Sequence, residues 1–384
     1  MFLFKLLLRN AFRHRLRTLL TIVGLVVAVS SFGLLRTLID AWYAGVEASS
    51  STRLLTRNAV SLTFTLPLSY GQRMKAVEGV TLISPSNWFG GIYQNPRNFF
   101  PQFAVEPETY LKLYPEFRLA EDQKLAFIKD RQGVVVGRKL AERFGWKLGD
   151  QIPMTGTIYT GTWNFTLRGI WDGAEAKTDE NQMLLQYQLV NEVMKQRYGR
   201  GDFASAFVIG INKPDDAALI SQRIDAEFKN SLAETLTETE AAFQLSFVSM
   251  SDAILAAIEA VSFIIIVIIM AVMANTMTMT ARERLAEYAT LKALGFSPSF
   301  VVKLLFGESL LIALIGGLLG IALTFPAVSG IASALGSFLP SFAVTNLTLA
   351  KQLGASLIVG LVAAAWPAWK MSRIDIVAGL RHVA

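Results

Sequence analysis

The chain has 384 residues, 52% of them hydrophobic and 17% charged, with no cysteine and a formal charge of +6. The missing thiols, and histidines only at positions 14 and 382, leave no ligand set for zinc and no Ser/His/Asp set in the middle of the chain. No G-x-x-x-x-G-K-[ST] run occurs, so nucleotide phosphates have no cradle of that kind.

The first apolar run, Leu16 to Ile39, follows Lys5, Arg9, Arg13, Arg15 and Arg17. It is near the length of about 20 residues that crosses a hydrocarbon core of about 30 Å. It is too long for a usual signal-peptide core and no small-x-small cleavage site follows, so it reads as an uncleaved anchor. Residues 41–250 then read as a folded α+β domain. Strands are expected at AVSLTFT (59–65), VTLISPS, NWFGGIY and NFFPQFAVEP, with a short helix at GQRMKAVEGV and another at TYLKLYPEF. GVVVGRKLAERFGWKLGDQI reads as a strand, a helix and a Gly-Asp turn, and NFTLRGIW alternates like a strand. The rest reads as a helix at YQLVNEVMKQRYG, a buried strand at FASAFVIGI, a helix at DDAALISQRIDAEFKNS and a closing FQLSFVS. The alternation suggests two subdomains, with one lobe, about 117–186, inserted in the other.

A second run, Val261 to Met279, includes AVSFIIIVIIMAVMA without a charge, and SMSDAILAAIEA before it extends the helix outward as a stalk. Two more runs follow, Val301 to Phe325 and one ending at Trp369 that begins near Leu347. The expected layout is therefore a membrane protein of four transmembrane α-helices with a large α+β extracytoplasmic domain between helices 1 and 2. Its parts are a leading segment 1–17, helix 1 at 18–40, the domain at 41–250, stalk and helix 2 at 251–280, a segment at 281–300, helix 3 at 301–325, a loop at 326–346, helix 4 at 347–369 and a tail at 370–384.

Charge gives the orientation. Residues 41–250 carry 22 basic and 23 acidic groups, and the remainder carries 14 and 7. Cytoplasmic loops attract Lys and Arg. Both termini and 281–300 are thus expected inside and the domain outside, periplasmic or extracellular. The pI near 9.4 then reports membrane topology, and no nucleic acid is expected as a partner.

The 281–300 segment is short, charged and wedged between two spans. Leu285, Tyr288, Leu291 and Leu294 fall three apart on a drifting apolar stripe, while Arg282, Glu283, Arg284, Glu287 and Lys292 take the other faces. Gly295 supplies a helix stop and Pro298 a fresh start. Such a helix can lie on the membrane surface where another protein pushes on it; the alternative is a solvated connection.

In the spans, Arg36 and Glu259 lie toward the outer ends of helices 1 and 2, where they either pair or snorkel separately. Glu308 lies about two turns into helix 3 and needs a partner, for which Lys303 and Arg282 are candidates. Gly316, Gly317 and Gly320 allow close approach of helices, within this bundle or at a dimer seam. Trp88, Phe99, Phe100 and Phe103 form an aromatic cluster suited to a lipidic substrate or to a domain core.

Taken in order, FAVEPETYLKLYPEFRL, VVVGRKLAERFGWKLGDQI, FTLRGIW, RERLAEYATLKALGFSP, ESLLIALIGGLLGIAL and PAWKMSRIDIVAGLR resemble the permease subunits of MacB/FtsX/LolC-type ABC transporters, the mechanotransmission or type VII class. The resemblance covers essentially the whole chain. It departs at Ile376, where a proline is common, so a looser turn is expected there. The resemblance implies a bacterial inner-membrane protein without catalysis of its own. It implies pairing as a homodimer or with a sister permease, a dimer seam on spans one and two, and a separate cytoplasmic ABC ATPase that holds the ATP and Mg. With 17 residues before the first span, the ATPase is expected on a separate chain, and neither cofactor nor metal is expected on this one. The resemblance also implies an envelope adaptor protein, contact with membrane lipid, and export or extraction of a hydrophobic substrate such as a lipoprotein, lipid, peptide or drug. The alternatives are an FtsX-like actuator of an envelope enzyme that transports nothing, and a membrane receptor, against which the short tails speak.

Overall fold

The computed structural model describes residues 2–175, 177–335 and 342–374. One unit is a bundle of helices and the other is a large domain built on Ala41–Ser251. The expectation at Ile376 falls outside the described residues.

Among the described residues, four helices are long and apolar enough to cross a membrane: Arg15–Ala48, Asp252–Glu283, Pro298–Leu335 and Asn346–Ser372. A short helix, Phe2–Ala11, precedes the first. The bundle interior is formed by Ile22, Leu25 and Val29 of the first span, Ile266, Ile269, Met273 and Met277 of the second, Ile312 and Ala313 of the third, and Val359 and Ala363 of the fourth. Several polar side chains inside it are paired, although Gln352 Oε1 is buried without a hydrogen-bond partner among the described residues. Gln352 donates to the Val29 carbonyl at 2.9 Å and to Thr324 Oγ1 at 2.7 Å, and Ser309 donates to the Gly360 carbonyl at 2.6 Å. The third helix runs on through Pro326 instead of ending at Phe325, because the apolar run continues to Leu335.

The expected continuous stalk from Ser249 is corrected. A helix Glu240–Ser249 ends there, and the second span starts afresh at Asp252. Ser246 and Ser249 turn their hydroxyls onto the Phe243 and Ser246 carbonyls, a local bonding that competes with helix continuation.

The large domain is built on one mixed sheet. Its strands are β1 (Arg53–Asn58), β2 (Leu66–Pro67), β3 (Val80–Trp88), β4 (Gly91–Ile92), β5 (Gln102–Val105), β6 (Phe117–Arg118), β7 (Gly133–Gly137), β8 (Gln151–Gly156), β9 (Gly161–Gly173), β10 (Met183–Gln186), β11 (Phe203–Ala204), β12 (Ala206–Ile211) and β13 (Thr235–Thr239). The order is β13-β1-β12-β3-β5-β10-β7-β9-β8-β4, with β6 against β9 and β2 against β11 in a small separate pair. β5–β10 and β7–β9 are parallel, and the other pairs are antiparallel. β8 alternates buried and exposed residues as a strand with one wet face does, whereas β12 is buried throughout. Strands from 117–186 thus share one sheet with the rest, and their core also takes in Phe89, Tyr93 and Phe100.

One expectation fails here. Residues 59–65 are not a strand. β1 lies just before them, and Asn58 Oδ1 takes the Val60 N–H at 2.9 Å in a turn that ends it, leaving Val60 and Phe64 exposed. The closing FQLSFVS is a helix, because Thr239 caps it by accepting from the Ala242 N–H at 3.1 Å. The last strand is TLTET, anchored by Thr237 facing Thr56 at 2.9 Å and by Asp225.

Candidate coupling site

The 281–300 segment is built from the end of the second span, a break at Arg284, and a helix Leu285–Ala293. Gly295 follows at φ +91°, where a side chain would be strained. The Gly295 and Phe296 N–H groups return to the Lys292 and Leu291 carbonyls at 3.0 and 3.1 Å, closing the helix with a glycine stop.

Arg284 is the centre of the site. Its Nη1 donates to Glu308 Oε2 of the third span at 2.9 Å and its Nε to Glu287 Oε2 at 3.0 Å. The guanidinium also sits 5.3 Å over the Tyr288 ring. This corrects two expectations: Arg284 is buried rather than on a polar face, and it, not Lys303 or Arg282, neutralises Glu308. Burial by itself lowers the Arg284 pKa, but Tyr288, Glu308 and Glu287 outweigh it and hold the group charged above its ordinary value. Burial pushes the Glu287 carboxyl up, and hydrogen bonds from Arg13 and Arg284 more than reverse this, leaving it below the usual range.

Two further clips hold the segment. Glu283 accepts from both terminal nitrogens of Arg17 at 2.8 Å, with His14 Nε2 at 3.3 Å. Lys292 Nζ donates to the Ser372 and Ile374 carbonyls at 2.8 and 2.9 Å, satisfying groups at the end of the fourth helix. Ala281, Tyr288, Val301, Leu304, Ala368 and Met371 are buried together beneath these clips, with Leu285 and Leu291 partly buried against them. Leu294 departs from the expected stripe: it is 72% exposed, beside exposed Phe296 and Gly295. Arg282 is exposed as well. Glu283, Arg284 and Lys292 are thus held by the first, third and fourth spanning helices, and the exposed surface includes an apolar knob at Leu294 and Phe296.

The other expected residues are scattered. Arg36 Nη1 meets Glu259 Oε1 at 3.0 Å, so these two pair. A Cβ on Gly316 or Gly320 would meet Leu25 or Val29 of the first span at 2.6 and 2.8 Å, and one on Gly317 would meet Ser356 of the fourth at 2.3 Å. These glycines therefore serve close packing inside this bundle. Trp88 lies 5.3 Å from Phe103 and 6.1 Å from Phe99 at the surface of the large domain. Phe100 is corrected: it is fully buried among Phe144 and Trp146 and is a core residue. Sequence reading missed the clips made by Arg13, Arg17 and Lys292; the basic run before the first span was the available signal.

A bundle of four spans, a large domain inserted after the first, and a clamped segment with an exposed knob define a multi-pass membrane protein with an extracytoplasmic domain. A family model described as the MacB-like periplasmic core domain matches residues 18–227, and one described as the FtsX-like permease C-terminal matches 259–376. The chain belongs to the MacB/FtsX-type ABC transporter permeases. It is 22% identical to an uncharacterized ABC transporter permease of Methanocaldococcus jannaschii, over 97% of this chain and 96% of that one. It is 33% identical to the pyoverdine export ATP-binding/permease protein PvdT of Pseudomonas syringae pv. syringae, over 28% of this chain and 16% of that one. Among solved structures, the periplasmic region of MacB from Actinobacillus actinomycetemcomitans matches 53% of this chain and 95% of its own, at 8% identity and a TM-score of 0.36.

Proposed function

We propose that this permease converts ATP hydrolysis by a separate cytoplasmic ATPase into movement of its extracytoplasmic domain, exporting or extracting a hydrophobic substrate. The observation that carries the reading is the 281–295 segment. It is tied to the first, third and fourth spans by Arg17, Glu308 and the Lys292 contacts, yet it leaves Leu294 and Phe296 free to meet a partner. A push on that knob moves helix ends together, since each clip is short and charge-assisted. The chain itself is non-catalytic in this reading; ATP and Mg belong to the ATPase. In this reading both termini and the segment lie on the cytoplasmic side of the inner membrane, which the basic groups flanking the spans support.

Pairing follows the same logic. The apolar window of the second span is 22% buried, against 39–44% in the others. Phe263, Ile264 and Ile268 there, with Leu19, Leu20 and Val23 on the first span, offer a surface for a second copy or a sister permease, and the remainder meets lipid. An envelope adaptor completes the assembly. The size of the large domain favours transport over the actuator reading. The test is direct: with the permease and its ATPase in lipid nanodiscs, ATP with vanadate changes the protease accessibility of the large domain, and identical digestion patterns with and without nucleotide contradict the reading.

Trp88, Phe99 and Phe103 are the substrate-contact residues in this reading. Replacing all three by Ala is expected to lower substrate movement at least about tenfold, equivalent to about 1.4 kcal/mol of lost contact; Phe103 also packs against the domain core, so Phe99→Ala alone is the variant expected to leave thermal unfolding unchanged. Phe100→Ala is expected to act on the fold instead, at about 3–5 kcal/mol. Wild-type transport in the triple variant removes the assignment.

A further inference from the structure

The large domain is joined to the spans by two stretches of chain, the one that enters β1 and the one that leaves β13. Both meet at a single buried carboxylate. Glu240, the first residue after β13, accepts from the Ser50 N–H at 2.9 Å and from Arg53 Nε at 2.8 Å through one oxygen. Its other oxygen accepts from the Tyr114 hydroxyl at 3.0 Å. Arg53 continues the network: Nη2 and Nη1 reach Glu116 at 2.6 and 3.0 Å, and Nη1 also donates to the Leu113 carbonyl at 2.9 Å. Its guanidinium stacks 4.1 Å over the Tyr114 ring, which in turn stacks on Tyr110 and Phe117.

The arrangement is more than a strand pairing needs. β1 and β13 already hold each other by their ladder, with Leu54 opposite Thr239, and a second ion pair, Arg57–Glu238 at 3.2 Å, joins the same strands. The Glu240 network differs in what it ties. It binds the turn before β1, the first residue of the helix after β13, and the end of the helix Pro107–Leu113 that lies against β3 and β12. Without it, the incoming and outgoing chain could each hinge at the end of its strand. Burial pushes the Tyr114 phenol well up, so it stays a donor, and the carboxylates outweigh the burial of Arg53 and keep it charged.

We propose that Glu240 is a positioning residue that makes the incoming and outgoing chain of the large domain move as one body, so that displacement of the spans reaches the sheet. This rests on the transmission reading above. The native chain has no cysteine, so nitroxide labels can be placed at will. One pair, Leu318→Cys with Met279→Cys, reports the bundle. A second, Met279→Cys with Leu232→Cys, reports the large domain; all three sites are exposed. Labelled full-length permease, diluted with unlabelled chain and bound to its ATPase in nanodiscs, is measured with and without ATP and vanadate.

In the wild type both distances are expected to shift. Glu240→Gln sets an amide NH₂ among Arg53, Ser50 and Tyr114 donors; it is expected to keep the bundle shift and lose at least half of the shift to the large domain. Tyr114→Phe, which removes one donor and keeps the ring stack, is expected to give a smaller loss of the same kind and stands in if Glu240→Gln fails to fold. Glu238→Gln is expected to keep both shifts. A full large-domain shift in Glu240→Gln, or in Tyr114→Phe where that variant stands in, overturns the joint and leaves the transmission reading standing. Loss of the bundle shift as well, or an equal loss in Glu238→Gln, also overturns it. A wild type whose bundle shifts while the large domain does not removes the transmission reading, and the joint with it.

Discussion

Glu308→Ala is expected to destabilise the bundle by about 3–5 kcal/mol, because it strands the Arg284 guanidinium without its buried partner. Arg284 has a side chain 7% exposed and Glu308 one 2% exposed, so water cannot replace the lost contact. Glu287 alone cannot compensate, since it lies 42% exposed and shares its charge with Arg13. The double variant Arg284→Met, Glu308→Leu removes both charges and is expected to recover most of the loss, as apolar replacement of buried pairs often does. Thermal unfolding of the wild type, Arg284→Met, Glu308→Leu and the double variant in one detergent gives the double-mutant cycle, with Glu308→Ala measured beside them. A cost below about 1 kcal/mol for Glu308→Ala is what an exposed ion pair gives, and it would show that the pair is solvated.

Leu294→Asp is expected to leave folding intact and abolish the response to ATP. Leu294 is 72% exposed and is the C-cap of the helix Leu285–Ala293, so an acid there costs only about 0.3–1 kcal/mol against the helix dipole. A central apolar contact in an interface is worth about 2 kcal/mol or more when lost, so affinity for the ATPase should fall at least about thirtyfold. Glu287→Lys attacks the same machinery from inside, replacing the carboxylate that receives Arg13 and Arg284 with a third cation. It is expected to remain inserted but to uncouple ATP hydrolysis from movement of the large domain. Full activity in both variants removes the segment as the contact surface.

The four spans were legible because membrane crossing leaves a mark that no other constraint imitates: about 20 residues apolar on every face. The strands with alternating or wholly buried residues, such as β8 and β12, were legible for the same kind of reason. β13 was not, since TLTET has one large apolar residue and owes its place to Thr56 and Asp225 across the fold. In the coupling segment, spacing misled in an instructive way. Residues three apart step back by about 60° per interval on a helix, so the stripe that begins at Leu285 has turned about half a circle by Leu294 and faces outward. The partner of Glu308 was equally hidden. Arg282 and Arg284 are two residues apart and so point to different sides of the chain, and only the break after Glu283 decides which one turns inward.

The proposed transmission requires a separate ATPase that meets the 281–295 segment. Affinity purification of the permease from native membranes in mild detergent, followed by mass spectrometry, tests this most directly. The expected result is an ABC-type ATPase at about one copy per permease, lost from the Leu294→Asp variant. A clean permease without an ATPase, even with an ATP analogue and a crosslinker present, would contradict the account and favour a receptor.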